Sequence, residues 1–182
     1  MRRRAPVSLL AVAIGLSLLW LMALIVAPVV RAHPDEWPTM VRASAGLAYV
    51  AGSFICHQRP ERSFHVGAAP LPVCARCTGL HVGVALGLLG LLVTSTRWRA
   101  RLREASRAWQ VRAALAAVSL PTILSVALEQ LGAGSPRAAR ALAAAPLGAG
   151  IALLVATAIE GWLAERRAAR RPAAGQGSAT LP

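Results

Sequence analysis

The chain contains no lysine: all 20 of its basic residues are arginine. That absence excludes a phosphate loop of the Gly-Lys-Ser/Thr type, a Schiff-base lysine and a lysine nucleophile. Charged residues are scarce too, 15% of 182 residues, where soluble domains carry roughly a quarter. Aromatic residues make up only 4%, whereas hydrophobic residues reach 56% and fall in long blocks. This composition excludes a water-soluble globule and a disordered chain, and three cysteines are too few for a disulfide-rich mini-fold. No HExxH, G-x-S-x-G, paired-carboxylate motif or dinucleotide loop is present, so no nucleotide cofactor is expected. An integral membrane protein remains.

The arginines stand at the ends of the apolar blocks, at Arg2–Arg4, Arg97–Arg112 and Arg166–Arg171. Such flanking sets membrane topology and lacks the interleaved aromatics of a nucleic-acid groove, so the expected surrounding is lipid and not nucleic acid. The first block, Val7–Val30, is 24 residues without a charge, which as a helix reaches about 36 Å and crosses a bilayer. A secretory signal is the rival reading, but its apolar core runs to about 7–15 residues, so the length favours a retained anchor. Residues 31–40 hold Pro34 and Pro38 and read as a loop. Further spans are expected over Gly79–Thr96, Val111–Leu131 and Ala138–Trp162. The stretch Val41–Cys56 is short of a usual span of about 20 residues and reads as an interfacial, re-entrant or thinned fifth segment.

The expected fold is therefore an all-α polytopic transmembrane bundle of four spans. It divides into an anchor and loop (1–40), a Cys/His loop with three membrane helices (41–165), and a disordered basic tail (166–182). Gly79, Gly83 and Gly87 recur every four residues and offer a close-packing face to a helix partner. With four spans and an inner amino terminus, thirteen arginines lie inside and seven outside; a fifth crossing would make that eight and twelve. The positive-inside rule thus favours a multi-pass plasma-membrane protein with both termini cytoplasmic and the Cys/His loop extracytoplasmic.

All three cysteines fall in one segment, CHQRPERSFHVGAAPLPVCARCTG, beginning at Cys56. Cys74 and Cys77 have C-x-x-C spacing, which turns two sulfurs toward one centre; Cys56 and one histidine would complete a Cys₃His set suited to zinc. The nitrogen donor could come from His57, His65 or His81. His57 adjoins Cys56, His65 lies in the loop, and His81 follows Cys77 by four residues. Arg59, Arg62 and Arg76 favour the thiolate forms, and Gln58 and Ser63 are candidates to orient the ligands. A c-type haem is excluded, since Thr78 and not histidine follows Cys77. Glu129 ends the third span and Arg140 opens the fourth; a bridge between them is the simple reading. The sharper one brings both to the cysteines in a single pocket.

These residues resemble the DUF2085 family of uncharacterised small integral membrane proteins. The resemblance rests on Cys56-His57-Gln58, Arg62-Ser63-Phe64, and Cys74, Arg76, Cys77 and Gly79 opening a glycine-rich helix. Downstream, Pro121, Glu129-Gln130-Leu131-Gly132 and Arg140 are similar to the family pattern. Ser125 stands where the pattern leads one to expect aspartate, and His81 where it leads one to expect an aromatic residue. The resemblance covers about residues 45–155 and implies a membrane location without an activity. Three functions stay open: a metal-binding membrane protein with zinc as the expected ion, a thiol–disulfide oxidoreductase using Cys74 and Cys77 with Cys56, and a non-catalytic structural or accessory subunit.

Overall fold

The structure is a computed structural model that describes residues 4–94 and 109–170. Among the described residues five α-helices follow in order: α1 (Arg4–Ala32), α2 (Thr39–Ile55), α3 (Ala75–Val93), α4 (Trp109–Gln130) and α5 (Arg137–Ala169). Four are long and apolar enough to cross a membrane, over Leu9–Ala32, Ala75–Val93, Trp109–Gln130 and Arg137–Arg166; α2 is not among them. The basic tail expected to lack order from Arg166 onward is helical as far as Ala169. The arginines of 97–107 and the rest of the tail, 171–182, lie outside the described residues.

The glycine stripe decides how α3 and α5 pack. A Cβ on Gly79, Gly83 or Gly87 would strike the backbone of Ala141, Ala145 or Ala149 respectively, and one on Gly148 would strike Leu80. The three glycine–alanine pairs share one residue offset, so the two helices run parallel with their backbones in contact. Small residues allow this approach, and in lipid the packing it brings replaces the hydrophobic drive. The stripe expected to receive a helix partner is thus occupied by α5 of the same chain.

The other helices run against this pair. Thr122 Oγ1 donates to Ala143 O at 2.9 Å and Val118 abuts Gly150, so α4 is antiparallel to α5. Leu10 and Ile14 of α1 pack on Leu88 and Leu91 of α3 and Ala152 of α5, while Trp20 meets His81 edge-on at 5.8 Å. Hence α1 is antiparallel to α3. One end of the bundle gathers the last turns of α1 and α4 with the first turns of α3 and α5.

Helix α2 stays at that end. Its Ala45 and Ala48 pack on Ala27 and Val30 near the close of α1, and the Arg31 guanidinium lies 4.9 Å over the Tyr49 ring. Its last residue, Ile55, precedes Cys56, whose sulfur accepts from the Cys74 backbone at the start of α3. Both termini of α2 thus belong to the same bundle end, so the helix lies across it. A small antiparallel hairpin, β1 (His65–Val66) with β2 (Ala69–Pro70), turns at Gly67 with φ 57° and was not foreseen from the sequence.

Candidate metal centre

The site is assembled by a tight return of the chain after α2. Cys56 is extended (φ −148°), and two residues later Gln58 adopts φ 47°, a left-handed conformation that costs a non-glycine residue energy. Its side-chain amide offsets that cost by donating to Tyr49 O and, at 2.8 Å, to Pro72 O. Gly52 makes room for the clamp, since a Cβ there would overlap both Pro72 O and the Gln58 amide. Tyr49 donates its hydroxyl to Pro70 O at 2.6 Å, a second tie between α2 and the loop. Replacing Gln58 with alanine would remove both of these bonds and take from Pro72 O its side-chain donor, at a cost of about 1–3 kcal/mol. A detergent-unfolding midpoint for Gln58→Ala equal to that of the parent would refute this role.

The clamp sets Cys56 against the first turn of α3. The sulfurs of Cys56, Cys74 and Cys77 lie within 4.8 Å of one another, all three are free thiols, and all are partly buried. The Cys74 amide donates to Cys56 Sγ at 3.2 Å. The Cys74 thiol is drawn down to about 5, chiefly by its hydrogen bond with the Cys77 thiol. Burial opposes this, and the Cys56 thiol and the backbone of Cys77 and Arg76 assist it. The thiolate is the form that a soft or borderline cation requires.

The three histidines weighed as the nitrogen donor fare differently. His57 lines the cavity beside the sulfurs, but its ring is not part of the 4.8 Å group. His65 pairs through Nδ1 with Ser63 O at 3.0 Å, and His81 is held against Trp20 one turn further along α3. Ser63 is fully buried and donates to Arg59 O at 3.1 Å, bracing the turn Pro60–Arg62 without lining the cavity.

Arg76, between the paired cysteines, reaches across to α4. It donates to Ser125 O and Oγ at 3.1 and 3.2 Å and lies 2.8 Å from Glu129 Oε1. The same oxygen is 2.5 Å from Arg140 Nε, and the carboxylate is only 9% exposed. Glu129 therefore does bridge to Arg140, and it bridges to the cysteine turn as well. A cavity of about 490 Å³ opens beside the sulfurs, with Arg59, Arg62, Arg76 and Arg140 on its wall.

The family described as predicted membrane protein DUF2085 matches residues 56–160, more than half of the chain. The chain belongs to this family. The DUF2085 match begins at Cys56 itself and takes in the C-x-x-C turn, Glu129 and Arg140, while α1 and α2 precede it. An uncharacterised protein of Methanocaldococcus jannaschii is 46% identical over 41 residues, 22% of this chain and 26% of that protein. Another, of Methanothermobacter thermautotrophicus, is 50% identical over 30 residues, 16% of this chain and 27% of that protein. The chain thus matches about a quarter of the length of these curated relatives. No solved structure matches it.

Sequence reasoning about this DUF2085 chain missed Gln130 on the cavity wall and Tyr49 behind the clamp. Gln130 carried a signal, as the neighbour of Glu129 at a helix end. Tyr49 carried none, because its partner is a backbone carbonyl 21 residues away.

Proposed function

We propose that this membrane protein holds a zinc-type ion on Cys56, Cys74 and Cys77, with the fourth coordination position open to the arginine-lined cavity. The observation that carries the reading is the convergence of three sulfurs within 4.8 Å from two separate helix ends. Thiolates are zinc ligands of choice, and three protein ligands with one free position is the pattern of sites that bind or activate a further group. His57 lines the same cavity, which supports a role for it in acting on such a group or in closing the site. Arginine flanking supports an extracytoplasmic face for the cluster.

Metal analysis of the detergent-purified chain is expected to find about one zinc per chain, and Cys56→Ser, Cys74→Ser and Cys77→Ser each to lose it. Absence of metal from the parent would overturn the reading. If two thiols then became alkylatable only after reduction, the Cys74/Cys77 disulfide with Cys56 would take its place.

A further inference from the structure

The cavity beside the sulfurs has a charge imbalance that a metal does not remove. Arg59, Arg62, Arg76 and Arg140 line it with His57 and Gln130, and among the described residues no carboxylate does. Glu129 lies behind Arg76 and Arg140, so it fixes their guanidiniums in place without occupying the space they face. A dication held on three thiolates would carry one net negative charge and Glu129 carries another, so the four guanidiniums leave an excess of two positive charges.

The placement of these charges is as informative as their sum. Arg76 and Arg140 are mostly buried and pre-oriented by Glu129 and Ser125, which lowers the ordering cost of binding. Arg59 precedes the turn Pro60–Arg62 and is exposed, while Arg62 closes that turn and is half-buried. A concave wall of one sign with low-dielectric surroundings concentrates the field on an incoming anion. Guanidinium forks match tetrahedral oxyanions two oxygens at a time. The volume of about 490 Å³ exceeds what a bare ion fills and leaves space for an organic remainder.

We infer that this cavity is a binding site for a phosphate group, held by Arg59, Arg62, Arg76 and Arg140 beside the cysteine cluster. The site goes beyond the metal reading and stands without it. Two sources offer that chemistry. One is a soluble phosphate or phosphomonoester; the other is an anionic lipid headgroup, for Ile55 on the cavity wall continues the exposed apolar stripe Met40, Leu47, Val50 and Phe54 of α2.

The test uses the full chain. Inorganic phosphate and phenyl phosphate are titrated calorimetrically into the detergent-purified protein, and phosphatidic acid retention is read by native mass spectrometry from phosphatidylcholine nanodiscs with and without that lipid. Saturable binding of the soluble probes identifies a soluble ligand, and stoichiometric phosphatidic acid with no soluble binding identifies a headgroup. In either case Arg59→Gln/Arg62→Gln is expected to weaken binding about tenfold or more, by removing two charge-assisted contacts. Ser125→Asp, which sets a carboxylate against Arg76, weakens it independently. Failure of every probe to bind, or affinities unchanged in both variants, would overturn the inference. Zinc content measured on the same preparations separates that result from failure of the metal site.

Discussion

Glu129→Ala is expected to lower the stability of the bundle by about 3–5 kcal/mol, the usual cost of leaving a buried partner charge uncompensated. The reason is the sharing of one oxygen: Glu129 Oε1 faces Arg76 at 2.8 Å and Arg140 at 2.5 Å. Both arginine side chains are mostly buried, 18% and 14% exposed, so water cannot take over the carboxylate's role. Ser125 offers Arg76 neutral acceptors only. Glu129→Gln keeps the shape and an acceptor oxygen and should cost less. Adding Arg140→Met to Glu129→Ala removes one stranded charge and should recover part of the loss, a non-additivity that a double-mutant cycle measures. Denaturant titration in detergent micelles reads these differences. Single and double variants that unfold with the parent would show that the network carries no stability.

Gly83→Leu should be more damaging still and prevent the native packing of α3 on α5. A Cβ at Gly83 already overlaps the backbone of Ala145, and backbone cannot rotate aside as a flexible side chain does. Gly83→Ala forces the helices apart and is expected to cost about 1–3 kcal/mol, as overpacking generally does. The branched side chain of leucine multiplies the displacement along a contact that extends from Gly79 to Gly87. Gly90→Ala is the control on the same helix, because a Cβ there meets nothing within 4 Å. It should be neutral or stabilising by up to about 1 kcal/mol through helix propensity. Equal behaviour of the Gly83 and Gly90 variants would mean that α3 and α5 do not pack in this register. Alkylation of Cys74 and Cys77 offers a second readout, since the first turn of α3 is held by the same contact.

The four spans were legible because hydropathy over some twenty residues is a property of local composition. The partner of the glycine stripe was not. Spacing says that another helix comes close at Gly79, Gly83 and Gly87, and says nothing of which one; the answer lies in the matching alanines of α5, which read as ordinary helix formers. The segment before Cys56 stayed ambiguous for a related reason. Its moderate hydropathy and short length suit several placements, and the deciding fact is that Cys56 must meet Cys74. C-x-x-C spacing made Cys74 and Cys77 readable as a pair, and Glu129 and Arg140 were readable as neighbours across a short turn. That Arg76 would join them, and that Gln58 would clamp two carbonyls through a left-handed backbone, depends on tertiary geometry that leaves no periodic trace.

The route of the chain across the bundle end also sets a timetable for synthesis. Cys56 leaves the ribosome 18 residues ahead of Cys74, and its two counterparts belong to the N-cap and first turn of a helix that is synthesised later. Until α3 inserts and the intervening hairpin folds back, Cys56 is a solitary thiol exposed to whatever oxidants its compartment holds. Any ion gripped by all three sulfurs is therefore fully held only once the chain has returned Cys74 and Cys77 to Cys56.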